Sequence, residues 1–320
     1  FGKDAMGERF RMALESKAKE GLEVKILVDA WGTGADISFF EPLIKVGVDV
    51  RIYRKMKLEK GFLSKNHCRN HRKLIVIDSS IGYIGSTNIT AYCLNWRELN
   101  LRTTDLNLLS IFRRSFKDSY RSFERYTFNK IGTKRDLHSG DWVFIQDIPG
   151  IYRQKIKTKY ERMISKAEKE ILIETPYFLP GHYLRKLLCE AAQRGVNVVI
   201  ITPIHSDVHV VDIIRRHYLG GLHQAGVKLF FYTAGNLHAK GIMIDQDVFF
   251  FFFSNFYCWS FRYQYELALI GKEKSLIPQL REHFDSSLKY CTSFDYQSWK
   301  KRSTVERIIE LMLLPFRYLF

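Results

Sequence analysis

The chain has 320 residues, 46% of them hydrophobic and 26% charged, a balance that fits a globular protein long enough for two ordinary domains and excludes disordered, collagen-like and coiled-coil chains. Fifty Lys and Arg against 34 Asp and Glu leave a formal charge of +16, which draws the protein toward a polyanion, either nucleic acid or an anionic bilayer, without choosing between them. Cys68, Cys93, Cys189, Cys258 and Cys291 are odd in number, far apart and without a C-x-x-C pair, which argues against a disulfide framework or a zinc knuckle and for a reducing compartment.

No run of 18 or more apolar residues and no signal peptide occurs, so no membrane span is read in the sequence. An amphipathic helix pattern (Met6, Phe10, Ala13, Leu14) begins almost at once after Phe1, and a segment upstream of Phe1 is expected. In chain order, a helix ending Ala18-Lys19-Glu20-Gly21 leads to a strand over Val24–Val28, a second helix, and Gly47-Val48-Asp49-Val50 opening another strand. A basic stretch follows. Between Arg51 and Lys73 there are nine Lys or Arg and one acid, Glu59, and the run serves either as solvated surface or as a contact for substrate or an anionic surface. Leu108, Leu109, Phe112, Phe116, Tyr120 and Phe123 recur at helical spacing and predict a long amphipathic helix. Gly132 to Gly150 reads as a linker.

The same order then repeats: Ala191-Ala192-Gln193-Arg194-Gly195, a strand over Val196–Ile201, a helix over about 207–225, and Gly226-Val227-Lys228-Leu229 entering a strand. Each copy reaches a His-x-Lys-x-x-x-x-Asp string, His71, Lys73 and Asp78 in the first and His238, Lys240 and Asp245 in the second. Gly47 and Gly226 are 179 residues apart but the two histidines only 167, so the first copy carries 12 extra residues within Arg54 to Asn70. Short strands alternating with longer helices predict the α/β class: two α/β/α lobes forming a pseudo-twofold pair, each a central mixed sheet covered by helices. The expected divisions are 1–140, 141–302 and a C-terminal helix over 303–320.

Side chains two apart on a strand share a face, so each His-Lys pair can address one ligand. An imidazole and an ammonium suit a phosphate: neutral His attacks phosphorus, and Lys neutralises oxygens as charge builds. Displacement at phosphorus also needs an acid for the leaving alkoxide, which a second copy supplies. Asp78 and Asp245, an odd seven residues after their His, are expected to anchor the following turn. Glu98 and Glu266 lie 27 and 28 residues after their histidines, each entering a new strand. A carboxylate there would accept Nδ1–H, fix the tautomer and leave Nε2 free.

His71-Arg72-Lys73-Leu74-Ile75-Val76-Ile77-Asp78, six residues, then Gly85-Ser86-Thr87-Asn88 matches the phospholipase D superfamily pattern HxKxxxxDx6GSxN at every defined position. The second copy matches as far as Asp245, and Glu174-Thr175-Pro176-Tyr177-Phe178-Leu179-Pro180 with Leu237-His238-Ala239-Lys240 resembles the bacterial cardiolipin synthase branch. The resemblance covers nearly the whole chain. It implies a two-lobed α/β fold and metal-independent ping-pong transfer of a phosphatidyl group through a phosphohistidine, with no cofactor. It assigns attack to His71, protonation to His238, and phosphate binding to Ser86, Asn88, Ser254 and Asn255 beside the two lysines. It further implies phosphatidylglycerol as substrate, a membrane surface as partner at the cytoplasmic side of a bacterial inner membrane, and a first strand and membrane helices upstream of Phe1. Water as acceptor, in a phospholipase or nuclease, stays open, with nucleic acid as the alternative substrate; so does a weakly active homologue that binds anionic lipid. No protein partner is read.

One departure stands out. Where the pattern expects Gly-Ser, the second copy has Phe252 and Phe253, followed by Ser254 and Asn255. The rings either crowd the phosphate, or force a bulge that moves Ser254 into the serine position, or simply belong to a strand buried on both faces. His205 and His209 flank Asp207, but without a further ligand set a metal site is not expected, and Asp207 reads as a helix N-cap. His67 lacks the Lys two on; His182, His217, His223 and His283 read as ordinary residues. Ser303-Thr304-Val305-Glu306 is a capping box opening a helix with Ile308, Ile309, Leu311, Met312, Leu313, Leu314 and Phe316. From Thr304 to Phe320 it would be about 25 Å long, too short to span a bilayer. It either packs on the second lobe or lies in a membrane interface.

Overall fold

A computed structural model describes residues 1–30, 33, 36–53, 69–121, 136–147, 154–252 and 264–318. The chain separates into two units, Phe1–Asn95 with Leu101–Lys134, and Trp96–Asn100 with Arg135–Phe320.

The first unit opens with α1 (Ala5–Lys19), capped by the Asp4 carboxylate, which accepts the amides of Met6 and Gly7 at 3.0 and 2.9 Å. Strands β1 (Lys25–Asp29) and β2 (Asp49–Tyr53) pair in parallel around the short helix α2 (Glu41–Lys45). Ile26, Phe39, Phe40, Leu43 and Val48 form the core there. After β3 (Arg69–Asn70), a separate antiparallel sheet runs in the order β4 (Leu74–Ile77), β5 (Ile81–Gly85) and β6 (Asn100–Thr103). The amphipathic helix is α3 (Leu106–Arg121), which buries Leu108, Leu109, Phe112 and Tyr120. Arg54 and the residues through Cys68, including His67 and most of the basic stretch, lie outside the described residues.

In the second unit, β7 (Asp136–Ser139) and β8 (Trp142–Asp147) form an antiparallel hairpin, so the stretch read as a linker is largely sheet. Gly140 supplies the turn at φ 53°, and β8 gains a full ladder against β14 (Gln264–Gly271), a pairing that its local sequence does not announce. Helix α4 (Lys155–Ser165) leads to β9 (Glu170–Glu174), then α5 (His182–Gln193), β10 (Asn197–Pro203), α6 (His209–Gln224) and β11 (Lys228–Tyr232). Strands β12 (Gly241–Ile244) and β13 (Val248–Phe252) precede β14, and α7 (Ile277–Leu288) and β15 (Cys291–Ser293) follow it. The sheet order is β15-β11-β10-β9-β12-β13-β14-β8-β7, parallel across β11-β10-β9 and antiparallel elsewhere.

β9 therefore joins a parallel half to an antiparallel half. In the first unit the matching halves, β1–β2 and β4–β5–β6, are separate sheets. β9 and β12 are buried at every position, the glutamates at either end of β9 included, and the residues between those ends and along β12 are apolar or glycine. On one sheet face Ile171, Ile173, Ile242, Ile244 and Phe250 share a core with Ile156, Tyr160 and Ile164 of α4 and Leu184, Leu187 and Leu188 of α5.

The chain ends with α8 (Tyr296–Lys300), α9 (Thr304–Leu313) and a 3₁₀ turn over Leu314–Tyr318. The capping box forms: Ser303 Oγ accepts Glu306 N–H and the Glu306 carboxylate accepts Ser303 N–H. No helix among the described residues is long and apolar enough to cross a membrane.

Candidate active site

Both His-x-Lys pairs stand one step before a strand rather than on it, since β4 starts at Leu74 and β12 at Gly241. The reason is visible in the second unit. His238 N–H and Ala239 N–H both donate to the Arg97 carbonyl at 2.8 Å, which takes this stretch out of the ladder. The two copies share one lysine pose: Lys73 Nζ donates to the His71 carbonyl at 3.1 Å and Lys240 Nζ to the His238 carbonyl at 2.9 Å. Their surroundings differ, because His71 and Lys73 are half-buried whereas His238 and Lys240 are buried. A Cβ at Gly241 would lie 3.0 Å from Leu99 Cδ2, so a larger residue there would need Leu99 to give by a few tenths of an ångström.

The hairpins that follow are alike. Asp78 and Ser79 have φ 49° and 57°, Asp245 and Gln246 have φ 54° and 55°, and the turns close through Ser80 N–H to the Ile77 carbonyl and Asp247 N–H to the Ile244 carbonyl. Two successive left-handed residues define a type I′ turn, which Asp tolerates better than most side chains. The Asp245 carboxylate accepts the amides of Glu168, Lys169 and Glu170 at 2.7–3.2 Å and fixes the start of β9. Burial opposes its ionisation, yet these three amides outweigh burial and hold its carboxyl below the ordinary value.

Glu98 meets the histidine of the other copy. Its oxygens lie 2.9 and 3.1 Å from Nδ1 of His238, and both side chains are about nine-tenths buried. The expectation that each Glu serves the histidine 27 or 28 residues before it is corrected for this pair. The segment Trp96–Asn100 belongs to the second unit, tied there by a bridge between Arg97 and Leu237 and by Arg97 N–H to the Asn236 carbonyl at 2.8 Å. Nδ1–H donates to the carboxylate, which fixes the ring so that Nε2 faces away from Glu98 and favours the imidazolium when Nε2 carries a proton. The Trp96 ring meets the His238 imidazole edge-on at 5.2 Å.

Glu266 is buried on β14, in register with Asp147, whose carboxylate accepts Lys155 and Ile156 N–H at the start of α4. The Nδ1 position on His238 that the spacing assigns to Glu266 is taken by Glu98. Ser86 is buried just past β5, and Asn88 is half-buried two residues on. Ser254, Asn255 and Phe253 lie outside the described residues. Phe252 closes β13, a central strand between β12 and β14 whose Phe249, Phe250 and Phe251 are all buried, as expected of a strand enclosed on both faces.

Sequence reasoning missed two residues near this site. Arg97 donates from its side chain to Ser287 Oγ at 3.1 Å, to the His283 carbonyl at 2.8 Å and to Ser286 Oγ, all on α7. His283, read as ordinary, places Nε2 2.5 Å from the fully buried carboxylate of Glu174. Asp207 is not the cap of α6. The helix starts at His209 with Val208 before it, and Asp207 accepts the Tyr177 hydroxyl while Asp212 accepts Ser206 N–H at 2.7 Å.

A buried His–carboxylate pair followed by a buried lysine thus stands just before a strand of a mixed sheet on an α/β scaffold. A family model described as cardiolipin synthase, PLD-like domain, matches residues 6–120 and 160–288, and the chain belongs to that family. It is 31% identical to a cardiolipin synthase of Clostridium perfringens over 98% of this chain and 69% of that one. It is likewise 31% identical to the major cardiolipin synthase of Bacillus subtilis, over 96% of this chain and 66% of the relative. Among solved structures, phosphatidylserine synthase of Haemophilus influenzae superposes with a TM-score of 0.67 at 11% identity, covering 98% of this chain and 92% of that one, a likeness of fold.

Proposed function

We propose that the protein is a phosphatidyltransferase of cardiolipin synthase type, acting at an anionic bilayer on the cytoplasmic side of a bacterial inner membrane. The observation that carries this reading is Glu98 on Nδ1 of His238, with Lys240 two residues on, in a chain of the cardiolipin synthase family. In the proposed cycle Nε2 of His71 attacks the phosphorus of phosphatidylglycerol. The P–O bond to glycerol breaks, and the leaving alkoxide takes a proton from Nε2 of His238. A hydroxyl of a second phosphatidylglycerol then gives its proton to His238 and attacks the phosphohistidine, releasing cardiolipin and restoring His71.

Glu98 makes the imidazolium of His238 easier to form and keeps its ring oriented. Lys73 and Lys240, with Ser86, Asn88, Ser254 and Asn255, are assigned to the phosphate oxygens, where fixed positive charge and donors favour the crowded transition state. Asp78 and Asp245 hold the turns that set each motif. The acceptor decides between transferase and hydrolase.

Incubation with phosphatidylglycerol vesicles, and separately with single-stranded DNA, without added metal, tests the reading. Cardiolipin with equimolar glycerol is expected. Phosphatidic acid alone would make it a hydrolase, cleaved DNA a nuclease, and no product a binding homologue.

A further inference from the structure

The helix α9 is packed inside out. Its one buried residue is a charge, Glu310, at 1% exposed, while Val305, Ile308, Ile309, Leu311, Met312 and Phe316 along α9 and the turn after it are 42–67% exposed. A helix free to choose in water would bury the apolar face and solvate the carboxylate. This one is held in its orientation. Glu310 pairs with Arg302, Nε to Oε1 at 2.9 Å and an Nη to Oε2 at 3.1 Å, and Arg302 lies 3.9 Å over the ring of Trp299. Trp299 in turn fits against Gly220 of α6 and donates Nε1–H to the Arg216 carbonyl at 2.8 Å. Leu313 and Leu314 pack on Tyr177, Leu179, Val211 and Ile214. Rolling the helix to hide its outer face would carry Glu310 out to solvent, strip this pairing and leave the Arg302 guanidinium without its buried counter-charge.

The charge around the apolar face is one-sided. Lys300, Lys301, Arg307 and Arg317 flank it, and the two acids of the segment are already engaged, Glu310 by Arg302 and Glu306 by Arg216 at 3.4 Å. At about 15 Å the ten-residue helix is half the thickness of a hydrocarbon core, so it suits the interface plane and not a crossing. The element lies after residue 288, where the matched family regions end, and contributes no residue to the site described above. We propose that α9 is a preformed membrane-docking face, with Ile308, Met312 and Phe316 among the acyl chains and the flanking Lys and Arg at anionic headgroups. This deepens the reading of a lipid-acting enzyme, and binding is measured apart from turnover.

The test is cosedimentation of the full chain with vesicles of equal phosphatidylglycerol and phosphatidylcholine, comparing the parent with the triple variant Ile308→Ser/Met312→Ser/Phe316→Ser. These side chains are exposed, so an unchanged melting curve is the check that the variant folds. Partitioning should fall at least about tenfold, and fluorescence of Met312→Trp, corrected for the parent, should be quenched by brominated lipid. Hydrolysis of a soluble phosphodiester should not change. Undiminished vesicle binding by the triple variant, or no quenching, overturns the proposal. So does a shift from dimer to monomer in lipid-free sedimentation of the triple variant, which would give the face to a second copy. A parent that binds vesicles through α9 but makes no product would overturn the enzymatic reading alone.

Discussion

Glu98 and His238 are 140 residues apart in the chain, and their side chains meet at 2.9 Å. The role proposed for Glu98 is to hold Nδ1–H and to stabilise the ring when Nε2 gains a proton. Replacing Glu98 by Gln keeps the shape but removes the charge. Turnover should fall by about two to four orders of magnitude with KM little changed, by analogy with carboxylate-to-amide changes in other His–carboxylate pairs. Steady-state kinetics on phosphatidylglycerol vesicles measures this, and near-parent turnover would remove the proposed role.

Arg97 acts one step further out, as a positioning residue. Its carbonyl holds two amides of the motif and its guanidinium is clamped on α7, so Trp96 and Glu98 on either side are presented to His238 in fixed poses. Arg97→Ala should lower kcat by about tenfold to a hundredfold, as losses of supporting contacts around a site typically do. KM should stay near the parent's, Arg97→Lys should recover part of the loss, and added guanidinium should rescue the alanine variant. Equal losses in both variants with no rescue would mean a merely structural role.

Asp245 carries a pH signature. Its folded carboxyl titrates below the ordinary value, so its contribution is complete above the unfolded value of about 3.9 and is lost as pH falls from there through the folded value. Asp245→Ala should therefore cost about 1–3 kcal/mol of stability between pH 5 and 8. The difference between parent and variant should start to shrink only as pH falls below about 3.9 and be smallest below the folded value. Denaturant titrations at a series of pH values check both statements, and a difference that grows toward low pH would have the wrong sign.

Burial, followed by the charge of Glu174, pushes the Cys291 thiol up to about 12, and its Sγ donates to the Ser287 carbonyl at 3.2 Å. Native protein at pH 8 should leave Cys291 unmodified by iodoacetamide, with modification appearing only in denaturant. Peptide mapping by mass spectrometry reads it directly.

The parts of the fold legible in the sequence are those whose signal is local. Apolar spacing of 3.6 marks α3, and short apolar runs mark β1 and β10, because burial on one stripe or on both faces leaves a pattern in the chain itself. The β7–β8 hairpin reads as linker because its two strands are short and its stability comes from β14, more than 115 residues away. At the site, the His-x-Lys strings and the presence of a carboxylate partner can be read from spacing. Which histidine Glu98 serves cannot, since that follows from Trp96–Asn100 belonging to the second unit. Arg97 and His283 carry no local mark at all; their partners lie 186–190 and 109 residues away.

The most direct test of the central claim is a covalent one. The chain is mixed with a p-nitrophenyl ester of phosphatidic acid, whose leaving group needs no acid, and quenched in base, where a phosphoramidate survives. Mass spectrometry should find a phosphatidyl group on the imidazole of His71, absent from His71→Asn and accumulating in His238→Asn, which lacks the base for the second transfer. Continued product formation by His71→Asn, with neither ring ever labelled in the parent, would contradict the account.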